Sequence, residues 1–168
     1  MMSEEFPLGK VEVSLTPLAR FEEYLQSREK RMTSQRRTLV ECVFRHHSHF
    51  DAEDLMEDVA RTVGHRRVSR PTVYRTLTEL VDAGLLRKMD LGGRAVYEHD
   101  YGYPAHDHLF CTDCKKLFEF RSDDLIRLRD SVAAENGFRV AGHRFIIQGM
   151  CQQCQEARRQ ANRRMPVV

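Results

Sequence analysis

Nowhere in these 168 residues does an apolar run approach the roughly 18 residues that a helical membrane span needs, so none is expected. The opening stretch, MMSEEFPLGK, carries acids where a secretory signal carries bases, and no apolar core follows it. A reducing, cytoplasmic setting is the expectation. Internal repeats and low-complexity segments are also missing. Net charge is small: 27 basic against 25 acidic residues gives +2 with histidine neutral, too little for a field over the whole molecule.

The charge is nevertheless unevenly placed. Residues 28–37 hold five bases against the single acid Glu29, and residues 61–75 hold five arginines and no acid. Two basic patches in a near-neutral chain suggest an oriented polyanion site, although solvated helix ends give the same pattern.

Periodicity orders the first half. Residues 1–17, broken by Pro7, Gly9 and Pro17, read as a loose tail. Helices are expected over Leu18 to about Arg28, over Ser34–His46 behind a Thr33 cap, and from Asp51, with Asp54 completing a capping box, to a stop at Gly64. The clearest helix runs from a Ser69 cap, with Pro71 in its first turn, to Gly84; Val73, Leu77, Leu80 and Val81 form its buried stripe. Strands Leu85–Met89 and Arg94–Glu98 flank the turn Asp90-Leu-Gly-Gly93. Helices followed by a hairpin give the order of a winged helix-turn-helix over residues 18–98. Residues 99–105 read as a hinge.

The second half, 106–168, opens on His106-Asp-His-Leu-Phe-Cys-Thr-Asp-Cys114. Short strands are expected at His106–Cys111 and Leu117–Phe120, then a helix from Ser122 to about Asn136, a strand over Val140–Met150 and a surface helix after Cys154. The fold class is therefore α+β.

Cys111, Cys114, Cys151 and Cys154 form two Cys-x-x-Cys pairs, each able to put two thiolates on one tetrahedral ion. In a reducing compartment such pairs are metal ligands before they are disulfides. Zinc suits four thiolates and needs no redox chemistry; an iron–sulfur centre and a redox dithiol are the alternatives. Four protein ligands leave no open position, so the site is structural. His106 and His108 share one face of a strand, Glu119 on the partner strand can reach it, and Asp107 points the other way. Such nitrogen and oxygen donors suit Fe(II), Mn(II), Co(II), Ni(II) or Zn(II). His46, His47 and His49 cluster at a helix end, either as a polar terminus or with one of them as a further ligand. Cys42, in an apolar helical stripe, reads as packing.

In combination, Ser69-Arg-Pro-Thr-Val-Tyr-Arg-Thr-Leu77, His106–Cys114 and Glu119-Phe120 resemble the ferric uptake regulator family over about residues 18–156. The resemblance implies an N-terminal winged helix joined by a hinge to an α/β dimerisation domain. It implies a homodimeric, metal-dependent transcription factor acting on an AT-rich palindromic operator in double-stranded DNA. By position it implies a regulatory site of His49, Glu98, His106, His108 and Glu119, with His99 an alternative to Glu98. A second family site survives only as Asp107 and His143, because Ala105 and Ile126 stand where a histidine and a glutamate are expected. DNA contacts carry over to Arg31, Arg70, Tyr74 and Arg75, with Lys30, Arg36 and Arg37 as further basic positions. Family peroxide sensors carry Asp where Glu119 stands. The implied function is an Fe(II)-dependent repressor of iron-uptake genes with a structural zinc. A zinc-uptake regulator is the alternative, Mn(II) is possible, and a metallohydrolase or a metal buffer is a distant one. No small-molecule substrate is expected.

Overall fold

The computed structural model describes residues 11–45, 49–63 and 68–163, which fall into two compact units, 1–104 and 105–168.

In the first unit, α1 (Pro17–Ser27) begins where the Thr16 hydroxyl accepts the Ala19 N–H at 3.2 Å. The helix α2 (Ser34–Val43) is capped by Thr33. It ends three residues before the expected His46, which lies with His47 outside the described residues. At the start of α3 (Ala52–Val63), Asp51 and Asp54 each accept the other's N–H at 2.8 Å, the reciprocal box that their spacing predicts. The expected stop at Gly64 lies outside the described residues. Ser69 caps α4 (Arg70–Asp82), and Gly84 at φ +68° turns the chain out of it.

Strands β1 (Leu86–Leu91) and β2 (Arg94–His99) form an antiparallel hairpin. Its two-residue loop is Gly92-Gly93, both at positive φ, and the Asp90 carboxylate accepts the Gly93 N–H at 2.9 Å. Phe21, Leu25, Leu39, Val40, Val43, Val73, Leu77, Leu80 and Leu85 fill the core between helices and wing. This is the winged helix-turn-helix. The stretch expected as a loose tail is anchored in its described part. The Val11 N–H donates to the Gly102 carbonyl at 3.0 Å, and the Tyr101 hydroxyl donates to the Leu15 carbonyl at 3.2 Å.

In the second unit a three-stranded sheet has the order β4-β3-β5. Strand β3 (Asp107–Cys111) pairs antiparallel with β4 (Leu117–Phe120) and parallel with β5 (Ile146–Gly149). The parallel pairing requires a crossover, which α5 (Asp123–Glu135), capped by Ser122, supplies. Helix α6 (Gln152–Arg163) follows. The expected strand over Val140–Met150 is shorter than its apolar pattern. Only Ile146–Gly149 pairs in register with β3, opposite His108 to Cys111; the Phe145 carbonyl still accepts the His108 N–H at 3.1 Å, and residues 140–144 form no strand. His143 is therefore not on a strand.

Candidate metal centres and nucleic-acid face

Tight turns set the four cysteines. Between β3 and β4 the Lys115 N–H donates to the Cys111 carbonyl and the Cys111 N–H to the Lys116 carbonyl, each at 2.9 Å. Lys115 sits at φ +62°, a conformation unusual for a side chain with a Cβ. Cys111 Sγ lies 3.9 Å from Cys154 Sγ, and Cys114 Sγ lies 3.8 Å from Cys151 Sγ. All four sulfurs fall within 4.8 Å of one another. Metal–sulfur bonds of about 2.3 Å in a tetrahedron place sulfurs about 3.8 Å apart, so the set fits an ion such as zinc. The sulfurs also differ from one another. The Cys111 thiol is pulled down to about 6, first by the Cys151 N–H donating to it (3.3 Å) and then by the Cys114 N–H. Cys154 is pushed up to about 12, first by its hydrogen bond with the Cys151 side chain and then by burial. One thiolate is thus ready at neutral pH.

The expected imidazole and carboxylate ligands form a set within each unit. In the first, a one-residue bridge joins Phe50 to Tyr97: Phe50 N–H donates to Tyr97 O (3.1 Å) and Tyr97 N–H to Phe50 O (2.8 Å). Antiparallel pairing of 50 with 97 sets 49 opposite 98, and His49 Nε2 lies 3.2 Å from Glu98 Oε2. The alternative ligand His99 is used elsewhere. Strand alternation turns it inward, where its Nε2–H donates to the Val43 carbonyl at 3.0 Å and its ring stacks on Phe44 at 4.6 Å. In the second unit His106 and His108 meet edge to face at 4.7 Å, His108 is the register partner of Glu119, and His106 Nε2 is 3.8 Å from Glu119 Oε1.

Asp107, on the opposite face of β3, is buried. Its Oδ2 lies 3.1 Å from His143 Nε2, and its Oδ1 accepts the Phe145 N–H at 3.1 Å. The sequence reading did not include Arg129, whose Nη1 is 3.2 Å from His143 Nδ1.

Helix α4 buries Val73, Thr76, Leu77, Glu79 and Leu80 and exposes Arg70, Tyr74, Arg75 and Thr78. Tyr74 is 46% exposed. Arg31 is exposed, and Arg70 pairs with Glu53 across a 2.5 Å contact. Two of the further basic positions are committed inside the unit. Arg36 grips Glu79 with a fork of 3.1 and 2.9 Å, and Lys30 reaches the same carboxylate at 2.8 Å. The signal for this triad was Glu79 itself, an acid on the buried stripe of a helix, which needs a cation.

On the outer face of the second unit's sheet, Phe118, Leu109 and Ile147 align across three strands, each more than 40% exposed. Leu128 and Val132 of α5 and Phe138 are more exposed still. No described helix is long and apolar enough to cross a membrane.

A profile of the ferric uptake regulator family matches residues 27–148. A ferric uptake regulation protein of Neisseria gonorrhoeae is 33% identical over 127 residues, 74% of this chain and 86% of that one. The ferric uptake regulator of Helicobacter pylori superposes with a TM-score of 0.76 over 87% of this chain and 96% of its own; at 20% identity that likeness concerns the fold alone. A zinc-bound manganese uptake regulator is 34% identical with a TM-score of 0.57, covering 79% of this chain and 98% of its own.

Proposed function

The chain belongs to the ferric uptake regulator family, and from that premise we propose that it is a metal-responsive transcriptional regulator acting as an Fe(II)-dependent repressor of iron-uptake genes. The observation that carries this reading is the pair of imidazole–carboxylate sets, His49 with Glu98 in one unit and His106, His108 and Glu119 in the other. We propose that all five residues ligate one regulatory ion. Five nitrogen and oxygen donors suit the five- or six-coordinate preference of Fe(II) or Mn(II) better than tetrahedral zinc. Bound, the ion would fix the positions of its ligands. By linkage, metal then tightens DNA binding and DNA tightens metal binding by the same factor, typically about 1–3 kcal/mol.

In this reading α4 enters the major groove. Tyr74 packs on a thymine methyl, while Arg75, Arg70 and Arg31 meet bases or phosphates. Arg70 exchanges its surface partner Glu53 for DNA, a small cost because both groups are half exposed or more. The four cysteines hold a structural Zn(II). A second copy of the chain covers the row Phe118–Leu109–Ile147, and the homodimer presents two α4 helices to a palindromic, AT-rich operator. Membership of a regulator family also leaves the metallohydrolase reading without support.

The test is operator binding by zinc-loaded protein titrated anaerobically with Fe(II), and in parallel with Mn(II), Zn(II) and a chelator. Binding switched on by Fe(II) supports the proposal. Binding switched on only by Zn(II), at far lower free concentration, makes the chain a zinc-uptake regulator. Indifference to every metal refutes the regulatory ligand set.

A further inference from the structure

The second unit retains Asp107 and His143 from a further metal site that the family resemblance implies, and these residues do not fit a metal. Ala105 and Ile126 bring no donor atom. His143 has both ring nitrogens engaged: Nδ1 faces Arg129 Nη1 at 3.2 Å and Nε2 faces Asp107 Oδ2 at 3.1 Å. A guanidinium only donates, so Nδ1 accepts, the proton sits on Nε2, and Nε2–H donates to the carboxylate. The other oxygen of Asp107 is taken by the Phe145 N–H at 3.1 Å. Arg129 is itself held from behind, with its Nε 2.8 Å from Asp130 Oδ1. Each polar side-chain atom of His143 and Asp107 therefore already has a partner inside the protein.

We infer that this position is a metal-free relay in which the Arg129 guanidinium, joined through neutral His143 to buried Asp107, takes the role of a divalent cation. One turn of α5 separates Ile126, where the resemblance expects a carboxylate ligand, from Arg129, which carries a fixed positive charge. An Arg with no exchangeable ligand ties α5 to the segment before β5 under all metal conditions, which a dissociable ion does not. The groove beside it, lined also by Arg139 and Arg144, adds further positive charge against a cation. The consequence is functional: this unit's crossover is locked permanently, and metal availability is read only elsewhere in the chain.

The test counts Co(II) bound per protomer by the full-length, zinc-loaded chain, using equilibrium dialysis and elemental analysis. His143→Gln is expected to bind as many ions as the parent. Arg129→Glu, which replaces the resident cation with a carboxylate beside His143 and Asp107, is expected to bind one more, and adding His143→Gln to it removes the extra ion. Loss of an ion from the parent on His143→Gln overturns the inference, and so does an Arg129→Glu variant that gains none. His49→Ala, measured alongside, reports on the proposed regulatory ion separately, so the two readings fail independently.

Discussion

Replacing Glu79 by Gln removes one negative charge from the centre of the winged helix and leaves two cations facing each other. Its carboxylate is 4% exposed, and it receives the Arg36 fork and the Lys30 ammonium at 2.8–3.1 Å. The two partners are not equivalent. Lys30 keeps 45% of its side chain in water, and such exposed pairs contribute about 0–1 kcal/mol. Arg36 is only 15% exposed, and it also donates to the Arg31 carbonyl at 2.7 Å. Removing one partner of a fully buried pair costs about 3–5 kcal/mol. Because Arg36 keeps some water and the amide keeps an acceptor oxygen, about 2 kcal/mol is expected for Glu79→Gln. Lys30→Met should cost less than about 0.5 kcal/mol. For a unit near one hundred residues, about 2 kcal/mol corresponds to a fall of roughly 10 °C in the unfolding midpoint. The chain supplies its own probe. It has no tryptophan, and its five tyrosines, at 24, 74, 97, 101 and 103, all belong to the first unit, so tyrosine emission during urea unfolding follows that unit alone. A Glu79→Gln loss under about 0.5 kcal/mol, or a Lys30→Met loss equal to it, refutes the assignment of Arg36 and Glu79 as the buried pair.

Three further outcomes follow from the same geometry. Phe118→Glu puts a charge into the exposed row with Leu109 and Ile147; sedimentation should then show a shift from dimer to monomer while the first unit's tyrosine signal is unchanged. Lys115→Gly relieves a left-handed residue in the cysteine turn and should stabilise the zinc-loaded second unit by about 0.5–1 kcal/mol, read as slower zinc release to a chelator. In reduced, metal-free protein, thiolate absorbance should rise as pH passes about 6, and Cys111→Ser should abolish that step. Since the folded value lies below the ordinary thiol value of 9.0, this group stabilises the metal-free fold at higher pH, and that contribution disappears as pH falls through about 6.

Features carried by local pattern were readable in advance. Capping residues, the glycine pair of the wing and the two Cys-x-x-Cys turns are decided within a few residues, and the helices and hairpin lie within a few positions of where periodicity puts them. The Val140–Met150 stretch misled because apolar alternation reports burial preference, whereas strand length is set by the partner, and β3 is short. The pairing of His49 with Glu98 depends on a single bridge at Phe50, too short to leave a period. That Glu98 rather than His99 faces His49 depended on which face of β2 meets α2. Glu79 with Arg36, and Arg129 with His143, are long-range polar matches that no window along the chain contains.

The crossover inside the second unit has a consequence for how the proposed structural zinc is acquired. Cys111 and Cys114 lie on a hairpin that can close by itself, but Cys114 and Cys151 are 37 residues apart, and the second pair arrives only after α5 has reversed the chain and β5 has docked in parallel. Closing so long a segment is slow compared with forming a hairpin, so capture is a two-stage event. An ion first held by two sulfurs can still leave. For the proposed structural zinc, the late pair converts that provisional hold into enclosure, so four-sulfur coordination is complete only once the crossover has folded.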